Sequence, residues 1–174
     1  LGIGVLGLPA HNQTIDPRTD GNFISTAEYT VLMTLASLRK FYEACHTLKE
    51  KRWEKQVLLG NELYQKTIGI LGFGRIGKLV AERFQGFGAK IIWYDPYVTQ
   101  TGLEHLGMKI NTLHELCALS DIITLHMRCT PETIHIINEE AISHMKDGVI
   151  IINTARAALI DDETLIKHLK NKKI

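Results

Sequence analysis

The sequence has few of the features that mark secreted, membrane or nucleic-acid-binding proteins. Its three cysteines form no CxxC pair, and an odd number at wide spacing is typical of reduced intracellular thiols. No run approaches the ~18 apolar residues of a membrane helix. The formal net charge of +1 provides no electrostatic attraction for nucleic acid or a membrane surface. We therefore expect a soluble, cytoplasmic protein with no metal site and no nucleic-acid or membrane partner.

The composition is that of a globular domain. Of the 174 residues, 45% are hydrophobic and 22% are charged, which suits one domain of ordinary size. Residues 1–9 read LGIGVLGLP and predict a buried strand that starts abruptly. They lack the basic flank of a signal peptide. The abrupt start suggests a chain cut from something longer.

Residues 67–95 carry the most informative pattern. Residues 67–71 are mostly apolar and of strand length, and the apolar period then changes to that of a helix. Gly72, Gly74 and Gly77 stand between these two patterns in a GxGxxG spacing. A second predicted strand, residues 89–94, follows the helix and ends at Asp95. The order strand, turn, helix, strand and acid is the context that makes a glycine motif informative.

Each position of this motif suits a dinucleotide. Gly72 permits a tight turn, Gly74 lets a pyrophosphate approach the backbone, and Gly77 lets the helix pack close to the strand. Unpaired N–H groups near Arg75 and Ile76 then face the phosphates.

The acid completes the dinucleotide pattern. Asp95 lies 18 residues after Gly77, near the spacing of a carboxylate that bonds the adenosine ribose. The alternative is an ordinary βαβ unit whose glycines serve only the turn.

A long helix is predicted before this unit. Ser25 and Glu28 form a capping box, S-T-A-E, that would open it. Apolar residues then follow at alternating spacings of four and three: Val31, Leu35, Leu38, Tyr42 and Cys45. Such a seam faces either a partner helix or the chain's own sheet, and both interpretations stay open.

Strands and helices continue to alternate after Asp95. The pattern predicts an α/β fold with a doubly wound parallel sheet, the Rossmann architecture. The predicted strands are 108–110, 121–125 and 148–153, and the predicted helices begin near 99, 112, 130, 138 and 161.

Several motifs together resemble the D-isomer-specific 2-hydroxyacid dehydrogenases. They run from the GIGV opening through AEYT, KTIGILGFGRIG, WYDPY, SDIITLH and TPET to NTAR, and cover nearly the whole chain. The resemblance implies a two-domain NAD-dependent oxidoreductase of which residues 1–174 look like the NAD-binding domain only. In this division, 1–66 hold the opening strand, long helix and linker, 67–174 hold the Rossmann core, and the last strand and substrate domain are missing. Members of the family commonly dimerise through the long helix, which implies a homodimer.

The resemblance also assigns roles to individual residues. Arg156 matches the catalytic arginine that binds the carboxylate and carbonyl of a 2-oxo acid. His126 and Thr130 match the loop after the fourth strand that lines the cofactor site. The cofactor-binding set as a whole is Gly72, Gly74, Arg75, Ile76, Gly77, Asp95, His126, Thr130, Asn153, Thr154 and Ala155.

Three positions depart from the family pattern. Ala157 and Gln65 stand where glycine is usual, and Arg128 stands where proline is usual. If the backbone at Ala157 needs a positive φ, alanine there costs about 1 kcal/mol.

The expected function is hydride transfer between NAD and a small D-2-hydroxy acid or 2-oxo acid. The family's proton-transferring histidine and its partner carboxylate have no match here, since Glu163 and His168 have the wrong spacing. We therefore expect this chain alone to be inactive. The alternatives are a non-catalytic NAD-binding module, a truncated gene product, or another Rossmann enzyme, which the NTAR segment disfavours.

Overall fold

The computed structural model describes residues 22–53, 55–56 and 58–174. The strand predicted at residues 1–9 lies outside the described residues. The helices are α1 (Phe23–Leu38), α2 (Phe41–Lys49), α3 (Arg75–Gln85), α4 (Leu113–Leu119), α5 (Glu139–Ser143) and α6 (Asp162–Lys170). The strands are β1 (Thr67–Leu71), β2 (Lys90–Tyr94), β3 (Met108–Lys109), β4 (Ile122–Leu125) and β5 (Ile150–Asn153).

The five strands form one parallel sheet. Their order is β3-β2-β1-β4-β5, which is the doubly wound order that the alternating pattern predicts. The strand order reverses between β1 and β4, where Leu71 pairs with Leu125, and Leu125 pairs with Asn153 on β5. The segments that follow these residues therefore leave the sheet side by side, at the edge where such folds bind ligands.

Both faces of the sheet are buried. One face packs under α1 and α3, and there Phe73 stacks on Trp93 with ring centroids 4.2 Å apart. The opposite face packs under α4, α5 and α6 around Ile123, Leu125 and Ile151. All four residues of β4 are buried, as expected for a central strand covered on both sides.

The predicted long helix is two helices, and its predicted start is wrong. α1 begins at Phe23, and its N-cap Asn22 makes no side-chain capping bond. Ser25 is already inside the helix, where its Oγ donates to the Asn22 carbonyl at 3.0 Å, so the S-T-A-E pattern does not form a capping box. The helix ends at Leu38 because Lys40 adopts a left-handed backbone with φ of 49°.

The predicted seam does not form one continuous surface. Val31 and Leu35 are partly buried against the chain's own core, and Leu38 is only 4% exposed. Tyr42, beyond the break, is 56% exposed. For the α1 part of the seam, packing within the chain is therefore the correct interpretation.

The other helix predictions have mixed outcomes. Thr112, Asn138 and Asp161 cap α4, α5 and α6, and each side chain accepts a backbone N–H three residues later. The helix predicted near 99 is only a 3-10 turn at Glu104–Leu106. The helix predicted from Thr130 is wrong, because the segment forms turns in which Thr133 Oγ1 donates to the Arg128 carbonyl.

The linker before β1 contains a strained residue. Gln65 has φ of 61°, and its side chain is exposed. We expect Gln65→Gly to raise the free energy of unfolding by about 0.5–1 kcal/mol, because relief of the left-handed strain exceeds the added entropy of the unfolded chain. Gln65→Ala removes the same side chain but keeps Cβ, so it should give no gain. Urea denaturation of the unchanged chain and the two variants measures these stabilities. Equal stability of the glycine and alanine variants would contradict the assignment of backbone strain to Gln65.

Candidate functional site

Two of the three motif glycines are required by the protein itself. Gly72 has φ of +88°, and a Cβ there would lie 2.7 Å from the Met127 backbone nitrogen. A Cβ on Gly77 would lie 2.3 Å from the Gly72 carbonyl oxygen. Both distances are far inside van der Waals contact, so these glycines let β1, α3 and the segment after β4 approach each other.

Gly74 differs from the other two. A Cβ added to it would meet no atom of the described chain within 4 Å, and its φ of −77° is open to any residue. Gly74 is the N-cap of α3 and has no side chain to bond the first N–H groups of the helix. Those groups, beginning at Arg75 and Ile76, have no acceptor within the helix. The site is therefore an open helix N-terminus, suited to an anion.

Asp95 is fixed against the glycine loop. Its Oδ2 accepts the Phe73 backbone N–H at 2.9 Å, and its Oδ1 accepts the Tyr97 N–H at 2.9 Å. The two bonds orient the carboxylate at the carboxyl end of β2. Each oxygen keeps a lone pair that can accept a further hydrogen bond.

His126 immediately follows β4 and adjoins the turn at Gly72. Its backbone N–H donates to the Leu71 carbonyl at 2.7 Å. The residue is half-buried, but its Nε2 atom is fully shielded and has no hydrogen-bond partner among the described residues. Burial lowers the pKa of His126 to about 3, so its imidazole is neutral at physiological pH.

Thr130 lies farther along the same segment, in a turn. Its backbone N–H donates to Thr133 Oγ1 at 2.7 Å. The structure brings Gly72, Asp95 and His126 together, and it places Thr130 in the loop beyond them.

The segment after β5 is a side-chain-stabilised turn. Asn153 Oδ1 accepts the Ala155 N–H at 3.0 Å, and Asn153 Nδ2 donates to the Arg156 carbonyl at 2.8 Å. Arg156 is exposed, and its Nη1 donates to the Ala155 carbonyl at 2.8 Å. Its remaining guanidinium donors are available to a planar anion such as a carboxylate.

Ala157 carries no backbone strain. It opens a 3-10 helix, Ala157–Leu159, and is not among the described residues with positive φ. The cost considered for alanine at this position therefore does not arise.

Sequence reasoning missed the contribution of α1 to this region. Thr30, buried on α1, bonds Thr154 with their Oγ1 atoms 2.9 Å apart. Thr30 Oγ1 also donates to the Thr26 carbonyl at 2.9 Å, so its single proton is used there and Thr154 is the donor to Thr30. The spacing Thr26, Thr30, Thr34 was the available signal, since it places three hydroxyls on one helix face.

The comparison with protein families identifies the family to which this fold belongs. Residues 31–174 match the family described as D-isomer specific 2-hydroxyacid dehydrogenase, NAD binding domain. The chain belongs to this family. The resemblance inferred from the motifs is confirmed, and so is the cofactor class.

Individual relatives agree with this result. D-3-phosphoglycerate dehydrogenase of Methanocaldococcus jannaschii is 44% identical over 156 residues, which cover 89% of this chain and 30% of that protein. Hydroxypyruvate reductase of Thermotoga maritima is 46% identical over 150 residues, covering 86% of this chain and 48% of that protein. The structure of D-lactate dehydrogenase from Aquifex aeolicus, complexed with NAD and lactic acid, superposes with a TM-score of 0.81 at 38% identity, covering 86% of this chain and 45% of that one.

These shares show that the chain spans less than half the length of the relatives described. In the described part of the chain, no helix has both the length and the apolar character that a membrane crossing requires.

The glycine geometry predicts unequal effects of alanine. Gly77→Ala should lower the free energy of unfolding by about 2–3 kcal/mol, because Cβ would overlap the Gly72 carbonyl and the backbone must move. Gly74→Ala should cost less than about 1 kcal/mol, since it weakens only the helix cap. Chemical denaturation of the two variants measures the loss of unfolding free energy. An equal loss in both would contradict the assigned geometry.

The shielded imidazole predicts a pH dependence of stability. The folded pKa of about 3 lies below the ordinary value of 6.5, so below pH 6.5 the unfolded chain binds a proton that the folded chain excludes. As the pH falls from 6.5 to 5, the contribution of His126 to the free energy of unfolding should therefore fall by about 1.5 kcal/mol. Most carboxylates titrate below this pH range.

Denaturation at a series of pH values tests this dependence. His126→Asn should remove its part of the slope of the free energy of unfolding against pH. His105→Asn, at an exposed position, should leave that slope unchanged. An unchanged slope in His126→Asn would show that the imidazole is accessible to protons.

Proposed function

We propose that this chain binds NAD at the carboxyl edge of its sheet. The observation that carries the proposal is the open N-terminus of α3: a Cβ at Gly74 would meet no atom of the described residues within 4 Å, while Gly72 and Gly77 are closely packed. A glycine whose small size serves no contact in the protein is explained by a ligand that occupies the space. The NAD-binding family of residues 31–174 supports the same conclusion.

The pyrophosphate and the adenosine ribose have separate partners in this proposal. The phosphates would accept hydrogen bonds from the N–H groups of Arg75 and Ile76 at the start of α3. The ribose hydroxyls would donate to Asp95, whose carboxylate is already oriented by its bonds to Phe73 and Tyr97.

The nicotinamide end would lie toward β4 and β5. We assign to it His126, Thr130, Asn153, Thr154 and Ala155, on the grounds that the segments after β4 and β5 leave the sheet beside the glycine loop. A neutral, shielded His126 suits this position, because it adds no charge beside a nicotinamide that changes charge when it is reduced.

For the whole protein we propose hydride transfer between NAD and a small D-2-hydroxy acid or 2-oxo acid. When bound, NAD accepts or supplies the hydride. Arg156 would hold the acid through its guanidinium, which fits a carboxylate with two parallel hydrogen bonds.

No residue of the described chain is assigned the proton transfer. His168, on α6, bonds Glu139 with its Nε2 atom 3.1 Å from Oε1, and Lys167 bonds the same oxygen at 2.8 Å. His168 is thereby part of an α5–α6 contact rather than a free acid or base. We therefore propose that this chain alone binds NAD without turnover. A non-catalytic NAD-binding module remains the alternative, and turnover of a 2-oxo acid by the whole protein would exclude it.

The cellular setting and oligomeric state belong to the same proposal. The three cysteines are all free thiols, which suits a reducing cytoplasm. We also propose a homodimer, with the contact on α2 rather than along the α1 seam. Phe41 and Leu48, seven residues apart on one face of α2, are 61% and 54% exposed.

Titration with NAD and NADP tests the proposed cofactor. The carboxylate of Asp95 would repel the extra 2′-phosphate of NADP by up to about 3 kcal/mol at ~5 Å, and solvent screening reduces this to a preference of at least about tenfold. Calorimetry should show NAD binding with NADP clearly weaker. Asp95→Asn keeps an acceptor oxygen but removes the charge, so the two affinities should converge.

The matched control for this titration is Asp162→Asn, at the start of α6, which should leave the ratio unchanged. Absence of NAD binding at millimolar concentration would contradict the proposed function. Equal or tighter NADP binding by the unchanged chain would contradict the role of Asp95.

Sedimentation at micromolar concentration tests the dimer. Each large apolar side chain buried at the contact contributes about 1.5–3 kcal/mol, so Phe41→Glu with Leu48→Glu should convert a dimer to a monomer. Ile166→Glu places the same charge on α6, where Ile166 is 51% exposed, and should leave the mass unchanged. A monomer for the unsubstituted chain would show that these side chains are simply solvated.

A further inference from the structure

An aromatic ring from another helix contacts the arginine that opens α3. The Cζ atom of Arg75 lies 5.0 Å from the centroid of the Phe23 ring. Phe23 is the first residue of α1, and Arg75 is the first residue of α3. The distance is within the ~6 Å range of a cation–π interaction. The first residues of two helices thus meet beside the glycine loop.

This contact leaves the hydrogen-bonding edge of the guanidinium available. A guanidinium carries its five N–H donors in its own plane, whereas an aromatic ring interacts with its face. Within the described residues, the structure gives Arg75 no hydrogen bond or ion pair with another protein group. A carboxylate at the position of Phe23 would have taken up two of those donors. The phenyl ring restrains the cation without occupying any donor.

The position of the ring is set by contacts along α1. Thr30 bonds Thr154 at 2.9 Å in the segment after β5, and Glu28 lies 3.9 Å from Arg83 of α3. The core under α1 includes Ala27, which is fully buried. α1 is therefore anchored to α3 and to the segment after β5. Phe23, its first residue, is held in place by this anchored helix.

We propose that Phe23 is a positioning residue, which holds the guanidinium of Arg75 for the diphosphate of a bound dinucleotide. The proposal rests on the NAD site described above. An exposed arginine loses rotamer freedom when it engages a phosphate, and a contact formed beforehand reduces that loss. Arg75 supplies the hydrogen bonds to phosphate oxygens, and Phe23 acts only through Arg75.

A double-mutant cycle tests this dependence. The variants are Phe23→Leu, which keeps an apolar side chain but removes the ring, Arg75→Met, and the two combined. Calorimetric titration of each with NAD should show binding weakened about two- to fivefold by Phe23→Leu, because the Arg75 side chain would then lose its rotamer freedom only on binding. In the Arg75→Met background, Phe23→Leu should have no further effect. Phe23→Trp presents a stronger π face and should bind NAD at least as tightly as the unchanged chain.

Adenosine, which has no phosphate, is the matched ligand. Its affinity should be the same in Phe23→Leu and in the unchanged chain. The proposal is overturned if Phe23→Leu leaves NAD affinity unchanged, weakens it equally in both backgrounds, weakens adenosine as well, or if Phe23→Trp binds no better than Phe23→Leu. These results are distinct from failure of the proposed function, in which the unchanged chain itself would not bind NAD.

Discussion

The contact between Gly77 and the Gly72 carbonyl is the constraint on which the site depends. With no room for a Cβ between them, α3 begins close against the end of β1, and its first N–H groups face the open carboxyl edge of the sheet. A helix set one side chain farther away would hold its positive end farther from this edge, and its effect on a ligand there would be weaker. The same turn brings Gly72 against the segment at His126 and Met127, so one close approach positions two walls of the site.

The remaining residues of the site are ordered by bonds between neighbouring segments. Asp95 ties the end of β2 to the glycine loop through the Phe73 N–H, and Asn153 closes the turn that carries Arg156. Thr30 connects that turn to α1. The Asp95 bond joins the segments after β1 and β2, the Thr30 bond joins α1 to the segment after β5, and the Asn153 bonds order that last segment itself. The edge is therefore held in place before any ligand arrives. Such preorganisation reduces the ordering that binding requires.

The sequence predicts those features that depend on local chemistry. The strand, turn, helix order around Gly72 predicts the central βαβ unit, and the caps at Thr112, Asn138 and Asp161 are short-range interactions visible in the pattern. The break at Lys40 was not predicted, because the apolar spacing continues across it. The left-handed backbone of Lys40, which ends α1, cannot be recognised from the sequence pattern. The contacts of Phe23 with Arg75 and of Thr30 with Thr154 join distant residues. Only the packing of α1 on the sheet brings these pairs together.

The central claim is that the space beside Gly74 is filled by a bound cofactor and not by a protein side chain. The most direct measurement is the NAD affinity of Gly74→Ala beside that of the unchanged chain, by calorimetry on samples shown to be folded. A methyl group in that space should keep the pyrophosphate from the N–H groups of α3 and weaken binding at least about tenfold, the loss of one or more charge-assisted hydrogen bonds. Unchanged affinity in a folded Gly74→Ala would contradict the account.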